Sequence, residues 1–407
     1  MFPAGYIRHC LISFLLCLII ADAGIEAQDK RAQIPAVLNN SYFEVNTGYI
    51  YYPFNDKQLE DGYTLQSVDI PHAAVRLIPA GYEFNRYFSV QISYMRPVLW
   101  VRYTYSKDPD IKEVTRSVWM NVAGLTIKPT LPVSRHFSIY GEGGLSIVTR
   151  KGFNDDDSNP VITNANYSTY FFGGGMKYHI NKNWGLMLSM VRSPENKISR
   201  QPATSFYSAG FSYKLLPFSE EHLEESVNSG YLFPEQVIQA GITSNVLGYG
   251  VNNFVSEGKI PVFWAGEAEV QYGLSINYQR NIFHGVKIFS LDWGASLSFW
   301  RTNVDRENFF TISVYPVLKW TLIHTRPADF YFFYSVAGPA YISRTTLDGK
   351  DMGEHFTFHD SMGTGIYFGE HRNLNTEVKI GHFSNGDLFP GNEGVKIPLS
   401  LNLGYCF

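Results

Sequence analysis

The chain of 407 residues is 45% hydrophobic and 16% aromatic but only 17% charged, and so many aromatic residues with so few charges are unusual for a soluble protein. A net charge of -4 gives no reason to expect nucleic acid as a partner.

Residues 1–27 have the pattern of a secretory signal peptide. Basic residues precede an apolar run from Leu11 to Ile20, and small residues follow it. We expect cleavage after Ala23 or Ala27. The mature chain would then keep Cys406 as its single cysteine, so no intramolecular disulfide is expected.

Strict alternation of apolar and polar residues dominates the rest of the sequence. In one segment the odd positions are apolar and the even positions are small or polar; the odd ones are Phe289, Leu291, Trp293, Ala295, Leu297 and Phe299. Beyond the leader no run of about 20 apolar residues could form a transmembrane helix. Alternating segments of about 10 residues can span lipid as a closed β-barrel. The secretory leader and the aromatic residues near the strand ends favour such an all-β, outer-membrane barrel over a soluble sandwich.

The last strand ends in Leu403-Gly-Tyr-Cys-Phe407. A C-terminal aromatic residue on an alternating strand resembles the assembly signal of bacterial outer-membrane proteins. The resemblance implies that Phe407 is read by the outer-membrane assembly machinery.

The alternating segments fall into two sets of eight. The first set, within residues 40–217, includes predicted strands at 67–82 and 86–105. An acidic, non-alternating segment at 218–235 reads as a periplasmic linker or short helix, and the second set occupies residues 236–407. We predict two tandem antiparallel eight-stranded barrels, with one sixteen-stranded barrel as the alternative. The choice matters, because eight strands leave an interior filled by side chains and sixteen leave an aqueous channel.

The first set resembles the transmembrane barrels of the OmpA-like class, in the stretches Tyr140-Gly-Glu-Gly-Gly144 and His179-Ile-Asn-Lys-Asn-Trp184. It shows no nucleophile, metal-ligand spacing or phosphate loop. We therefore expect a structural or adhesive role for this half.

The strongest candidate site is in the second set. On the predicted strand 373–385, His382 and Ser384 continue a lipid-facing apolar row, and polar residues facing lipid are functional candidates. A serine beside a general base is the minimal activated nucleophile. The strand is the seventh of eight and runs outward, so both residues should lie near the extracellular rim, where the lipid is lipopolysaccharide.

The position of the hairpin turn predicts which carboxylate lies beside His382. Asp360 interrupts the lipid-facing row of the preceding strand, and a turn centred on residue 371 would place it opposite His382. A register slip of two residues would place it opposite Ile380 or Ser384 instead. Such cross-strand neighbours have Cβ atoms about 5 Å apart. Asp360 would then orient His382 and stabilise its imidazolium, as the acid of a triad does.

These residues carry a family resemblance. His382-Phe-Ser384-Asn385, followed by Asn392 and Gly394, resembles the signature of the PagL-like lipid A 3-O-deacylases. Those are eight-stranded outer-membrane barrels that remove an acyl chain from lipid A with a Ser-His-Glu triad. The resemblance implies Ser384 as nucleophile and His382 as general base. It also implies oxyanion stabilisation by Asn385, Asn392 or backbone amides near Gly386.

The sequence departs from the family at the acid. Lys396 stands where the family glutamate should fall, and we predict that the lipid-facing row of the last strand is Val395, Ile397, Leu399 and Leu401. The alternatives are that Asp360 supplies the acid, that Glu393 reaches in from the loop, that the site works as a dyad, or that it is inactive.

The predicted function is therefore that of a serine esterase acting on an ester-linked acyl chain of lipid A, with lipopolysaccharide as its partner and no cofactor or metal. The alternative is a non-enzymatic barrel with a structural, adhesive or pore-forming role.

Overall fold

The computed structural model describes residues 33–107, 113–255, 264, 266–369, 371–386 and 391–407. The predicted signal peptide, residues 1–27, lies outside the described residues. No helix in the described part of the chain is long and apolar enough to cross a membrane.

The described residues of the N-terminal half form twelve strands: β1 (Ser41–Tyr51), β2 (Thr64–Asp69), β3 (Ala73–Asn85), β4 (Phe88–Pro97), β5 (Val101–Ser106), β6 (Val114–Pro132), β7 (Phe137–Lys151), β8 (Phe153–Asn154), β9 (Pro160–Ile162), β10 (Ala165–His179), β11 (Trp184–Ser193) and β12 (Thr204–Lys214). Eight of them form a ring in the order β6-β4-β3-β1-β12-β11-β10-β7, which the pairing of β6 with β7 closes. β2 and β5 extend the sheet beyond this ring, next to β6.

The extension corrects two predicted strands. The segment 67–82 is interrupted at Ile70–His72, and the segment 86–105 is interrupted after Pro97. Pro71 and Pro97 have no backbone N–H to give to a ladder, so each strand stops near its proline. The outer pieces leave the ring and bury apolar side chains such as Tyr103 in a shared core at one end of the barrel.

The C-terminal half is a second closed barrel. Its elements are β13 (Gln236–Ser244), β14 (Ala268–His284), β15 (Phe289–Thr302), β16 (Asn308–His324), β17 (Ala328–Ile342), the short hairpin β18 (Thr346–Leu347) and β19 (Lys350–Asp351), β20 (Phe356–Phe368), β21 (Leu374–Ser384) and β22 (Val395–Cys406). The ring order is β13-β14-β15-β16-β17-β20-β21-β22, with β22 pairing back to β13. Phe407 completes the seam, because its N–H donates to the Gln236 carbonyl at 3.0 Å. Two tandem eight-stranded barrels are thus confirmed, and the sixteen-stranded alternative is wrong.

In the described part of the chain, two α-helices lie outside the rings. Helix α1 (Glu220–Asn228) occupies the acidic segment between the barrels, and the Ser219 hydroxyl accepts a hydrogen bond from the His222 amide at 3.3 Å at its N-terminus. Helix α2 (Gly250–Phe254) lies between β13 and β14. It belongs to the end of the second barrel that carries the longer connections, 245–267, 303–307, 343–355 and 385–394, which we call the loop rim.

Both interiors are filled by ion pairs rather than water channels. In the first barrel Lys128 contacts Glu44 at 2.7 Å, and in the second Lys319 contacts Asp292 at 2.6 Å with both side chains at most 5% exposed. The Lys319 ammonium also donates to the Tyr367 hydroxyl at 2.7 Å. A filled interior is what an eight-stranded ring allows, so the exposed chemistry of this protein lies on the outside of the barrels and in their loops.

Candidate active site

The hairpin of β20 and β21 presents its even-numbered residues outward. Leu374 and Phe368 are exposed, whereas Asn375 and Glu377 are buried in the barrel interior, where the Glu377 carboxylate accepts from the Tyr331 hydroxyl at 2.7 Å. His382, Ser384 and Asp360 therefore share the outward face, as the sequence parity predicts.

The register of this hairpin brings Asp360 and His382 together. Asp360 pairs directly with His382, and Phe358 pairs with Ser384, so the predicted register is confirmed. Asp360 Oδ2 lies 3.8 Å from His382 Nδ1. This separation is slightly longer than a hydrogen bond, and catalytic contacts of this kind commonly tighten when substrate binds.

A bulge in the neighbouring strand holds Asp360 from the other side. Ser335 and Gly338 of β17 pair with Ser361 and His359, so Val336 and Ala337 together face Asp360. The Ala337 amide, released from the ladder, donates to Asp360 Oδ1 at 2.5 Å. The alternation of residues did not indicate this support, although the Gly338-Pro339 pair was an available signal because glycine and proline within a strand mark bulges.

Ser384 lies at the loop rim, two residues beyond His382 on the same face, and is partly exposed. Among the described residues no hydrogen bond joins the Ser384 hydroxyl to His382. The two side chains are strand neighbours at i and i+2, a spacing of about 7 Å along the strand that leaves room for side-chain rotation to bring them into contact.

The turn after Ser384 is organised by asparagine side chains. Asn392 Oδ1 accepts from the Asn385 amide at 2.7 Å, which fixes the orientation of the Asn392 carboxamide. The buried Asn385 side chain donates to the Gly391 carbonyl at 2.7 Å, and Gly386 has a φ of 65°. Of the three predicted oxyanion groups, Asn385 thus holds the loop, Gly386 follows Ser384 by two residues, and Asn392 is tied by its side chain to the amide of Asn385, the residue after Ser384.

Glu393, the second predicted source of the acid, is engaged elsewhere. Its carboxylate accepts from the Asp351 amide at 2.5 Å, and its own amide donates to the Asp351 carbonyl. These bonds tie Glu393 to the β18–β19 hairpin, whereas Asp360 lies directly beside His382.

The predicted outward row of the last strand is wrong at its upper end. Pro398 and Leu399 of β22 together face Ile380 of β21, which makes a bulge at Pro398. The extra residue reverses the alternation, so Val395 and Ile397 pack into the interior cluster while Lys396 faces outward. Lys396 therefore lies opposite His382 on the outer face, where Lys396 Nζ donates to Asn253 Oδ1 at 3.2 Å.

A cover over the histidine also escaped prediction. His382 is only 1% exposed although it faces outward, because Trp264 stacks on it with ring centroids 5.9 Å apart. Trp264 comes from the connection between β13 and β14. No local pattern reveals this contact, since it joins residues more than 100 positions apart.

One group of side chains could in principle take a metal ion, because oxygens of Asp305, Glu307 and Asp348 lie within 4.8 Å of one another. These oxygens already serve the loop. Asp348 accepts from the Val304 and Asp305 amides, and Glu307 contacts Arg344 at 2.5 Å. The group is a loop clasp rather than part of the candidate active site.

Comparison with known proteins separates the two barrels. Residues 267–405 match the family model of lipid A 3-O-deacylase (PagL), and residues 14–214 match that of the outer membrane protein beta-barrel domain. The second barrel is similar to PagL. The resemblance drawn from the sequence is thereby confirmed for both halves, and the chain is an integral β-barrel protein of the bacterial outer membrane.

The search of solved structures returned outer-membrane proteins, each matching less than half of this chain. The crystal structure of the outer membrane enzyme PagL matches with 16% identity and a TM-score of 0.30, covering 42% of this chain and 99% of PagL. The N-terminal barrel domain of OprF from Pseudomonas aeruginosa matches with 14% identity and a TM-score of 0.28, covering 44% and 98%. Ail of Yersinia pestis matches with 16% identity and a TM-score of 0.28, covering 43% and 97%. No curated protein matched the sequence.

Proposed function

We propose that the second, PagL-like barrel is a serine esterase that hydrolyses an ester-linked acyl chain of lipid A in the outer leaflet. The observation that carries the proposal is the meeting of Asp360 and His382 beside Ser384, on the outer face at the loop rim. An active site in that position meets lipid rather than a soluble substrate. Polar groups on a lipid-facing surface are costly, so their grouping at one point favours function.

The chemistry would follow the acyl-transfer template. His382 takes the proton of the Ser384 hydroxyl as the oxygen attacks the ester carbonyl, and the negative charge of the tetrahedral intermediate is met by Asn392 and the backbone near Gly386. The protonated His382 then gives its proton to the departing sugar oxygen. Water repeats the sequence on the acyl-enzyme, releases the fatty acid and restores Ser384.

Asp360 takes the acid's role in this scheme. Its carboxylate stabilises the imidazolium that forms at each step and keeps His382 Nδ1 turned toward β20. The Ala337 amide holds the carboxylate in place at 2.5 Å, so the orientation does not depend on water. Lys396, at the position of the family glutamate, takes no part in proton transfer.

Mass spectrometry of lipid A from cells that produce each variant tests the proposal. Wild-type protein should yield lipid A species that lack one acyl chain, and Ser384→Ala should leave lipid A intact. Ser361→Ala is the matched control, because Ser361 lies on the adjacent strand but points into the barrel and is buried. An identical acylation pattern for wild type and Ser384→Ala would refute the esterase.

The N-terminal barrel keeps the structural or adhesive role expected from its sequence. Its interior is filled by buried pairs such as Arg76 with Glu142 and Lys128 with Glu44. Such a plug supports a rigid membrane-embedded unit rather than a pore.

A further inference from the structure

The connection between β13 and β14 is fastened across the outer face of the candidate site. Helix α2 contributes Asn252, which is 1% exposed, and its Nδ2 donates to the carbonyls of Gly381 at 3.0 Å and Ile397 at 2.9 Å. Gly381 precedes His382, and Ile397 precedes the bulge at Pro398. The Asn252 side-chain amide thus joins β21 to β22 at the bulge next to His382.

Trp264 forms the second fastening. It is 2% exposed, and its ring lies nearly parallel to the His382 imidazole, at 19°. Val255 and Ile380 complete its apolar cluster, with Met362 and Leu399 packed at the edge. The covered face of the imidazole is therefore closed to water and lipid.

The far end of the connection is anchored by the backbone. The Glu267 amide donates to the Glu393 carbonyl at 2.7 Å, and the Ala268 amide donates to the Gly394 carbonyl at 3.1 Å. The Glu267 carboxylate also accepts a hydrogen bond from Lys350 Nζ at 2.8 Å, which lowers the pKa of this carboxyl. The described parts of the connection are thus attached on both sides of Trp264.

We infer that Trp264 and Asn252 are positioning residues for His382. The inference rests on the proposed esterase function. It adds residues from the first connection of the barrel, between β13 and β14, to a site that lies on the last three strands. Stacking fixes the plane of the imidazole, and the Asn252 bridge fixes the backbone that carries it. Together they hold the ring with Nδ1 toward Asp360.

Covalent labelling of Ser384 by a fluorophosphonate measures this positioning. Trp264→Ala should slow labelling about tenfold to a hundredfold, since small misplacement of a catalytic group costs rates of that order. Trp264→Phe, which keeps an aromatic face, should recover most of the rate. Asn252→Leu, similar in size but unable to donate, should also slow labelling. Trp293→Ala is the control, because Trp293 contacts Tyr278 near the opposite end of the barrel.

Steady-state kinetics on a short-chain aryl ester provide a readout that a general loss of stability would not give. We expect kcat to fall in Trp264→Ala with little change in KM, and folding to be retained, as judged from mobility in unheated SDS gels. If folded Trp264→Ala labels and turns over like wild type, the inference is wrong while the esterase stands.

Diethylpyrocarbonate modification of His382, followed by mass spectrometry, tests the cover without any need for activity. His382 should react slowly in wild type and Trp264→Phe and quickly in Trp264→Ala. Equal reactivity in all three would overturn the inference. Failure of wild type to take up the fluorophosphonate, with His382 protected as expected, would instead contradict the esterase function.

Discussion

Asp360 and His382 face each other across the β20–β21 ladder, with Asp360 Oδ2 3.8 Å from His382 Nδ1, while Lys396 faces the same histidine from β22. The histidine thus has an aspartate beside it on one neighbouring strand and a lysine on the other, with the lysine ammonium bonded to Asn253. The signature of the PagL-like family has its glutamate at the position where this chain has Lys396. Substitutions can therefore test which strand supplies the acid.

Removing the carboxylate should strongly reduce activity. In a serine hydrolase triad, replacing the acid lowers kcat about 10⁴-fold. The contact between Asp360 and His382 is longer than a hydrogen bond, so we expect a smaller effect here. Asp360→Ala should still lower kcat at least about a hundredfold. Asp360→Asn should be equally impaired. Initial rates of lipid A deacylation measure the effect, and Glu393→Gln serves as the comparison. Full activity of Asp360→Ala with loss in Glu393→Gln would assign the acid to Glu393.

A carboxylate introduced at position 396 should restore part of the activity that Asp360→Ala loses. Because position 396 faces outward opposite His382, the double variant Asp360→Ala/Lys396→Glu should regain at least about tenfold over Asp360→Ala alone. Asp360→Ala/Lys396→Gln controls for loss of the lysine charge. Equal rates for the two double variants would show that position 396 cannot supply the acid in this barrel.

The bulge beside Asp360 predicts a stabilising substitution. Ala337 has a φ of 42°, a conformation that costs a residue with a Cβ about 1 to 2 kcal/mol. The greater freedom of glycine in the unfolded chain offsets part of the gain. Ala337→Gly should therefore raise the free energy of unfolding by up to about 1 kcal/mol and keep activity, since the amide that holds Asp360 remains. Urea unfolding in detergent micelles measures the change, and a destabilised or inactive variant would contradict this account of the bulge.

The interior pair of the second barrel should be sensitive to half-removal. Lys319→Met leaves Asp292 buried without its cation, a change that typically costs about 3 to 5 kcal/mol. The double variant Asp292→Leu/Lys319→Met should lose clearly less free energy of unfolding than Lys319→Met alone. Unfolding of the three proteins in the same detergent gives the comparison. A double variant no better than Lys319→Met would mean that the carboxylate is not the source of the cost.

Planar-bilayer recordings address the pore-forming alternative. Both rings have eight strands, and their interiors hold buried pairs such as Lys128 with Glu44 and Lys319 with Asp292. We therefore expect only small or flickering conductance, because filled eight-stranded barrels leave no aqueous channel. Steady large openings would contradict the filled interiors.

The alternating pattern was sufficient to predict the number of barrels, the outward face of β20 and β21, and the opposition of Asp360 to His382. These features depend on a period of two and on one hairpin length, both of which are local. The predicted strands were wrong where a proline interrupted a strand or shifted its alternation. Pro71 interrupted a strand, and Pro398 added a residue that turned Val395 and Ile397 inward.

The cover over His382 could not be predicted for a different reason. Trp264 reaches the histidine, and Asn252 reaches the strands that flank it, only because β13 and β22 are neighbours in the closed ring. A contact of this kind depends on tertiary closure, and nothing in the spacing of an exposed-looking tryptophan indicates it.

The seam between β13 and β22 has a consequence for biogenesis. Asp360, His382 and Ser384 belong to the last strands of the barrel, and the residues that cover and clamp the histidine belong to its first connection. In an open, half-inserted sheet these two groups would lie at opposite edges. The imidazole would become fixed and shielded only when the first and last strands pair, so completion of the barrel would set the time at which the proposed active site is assembled.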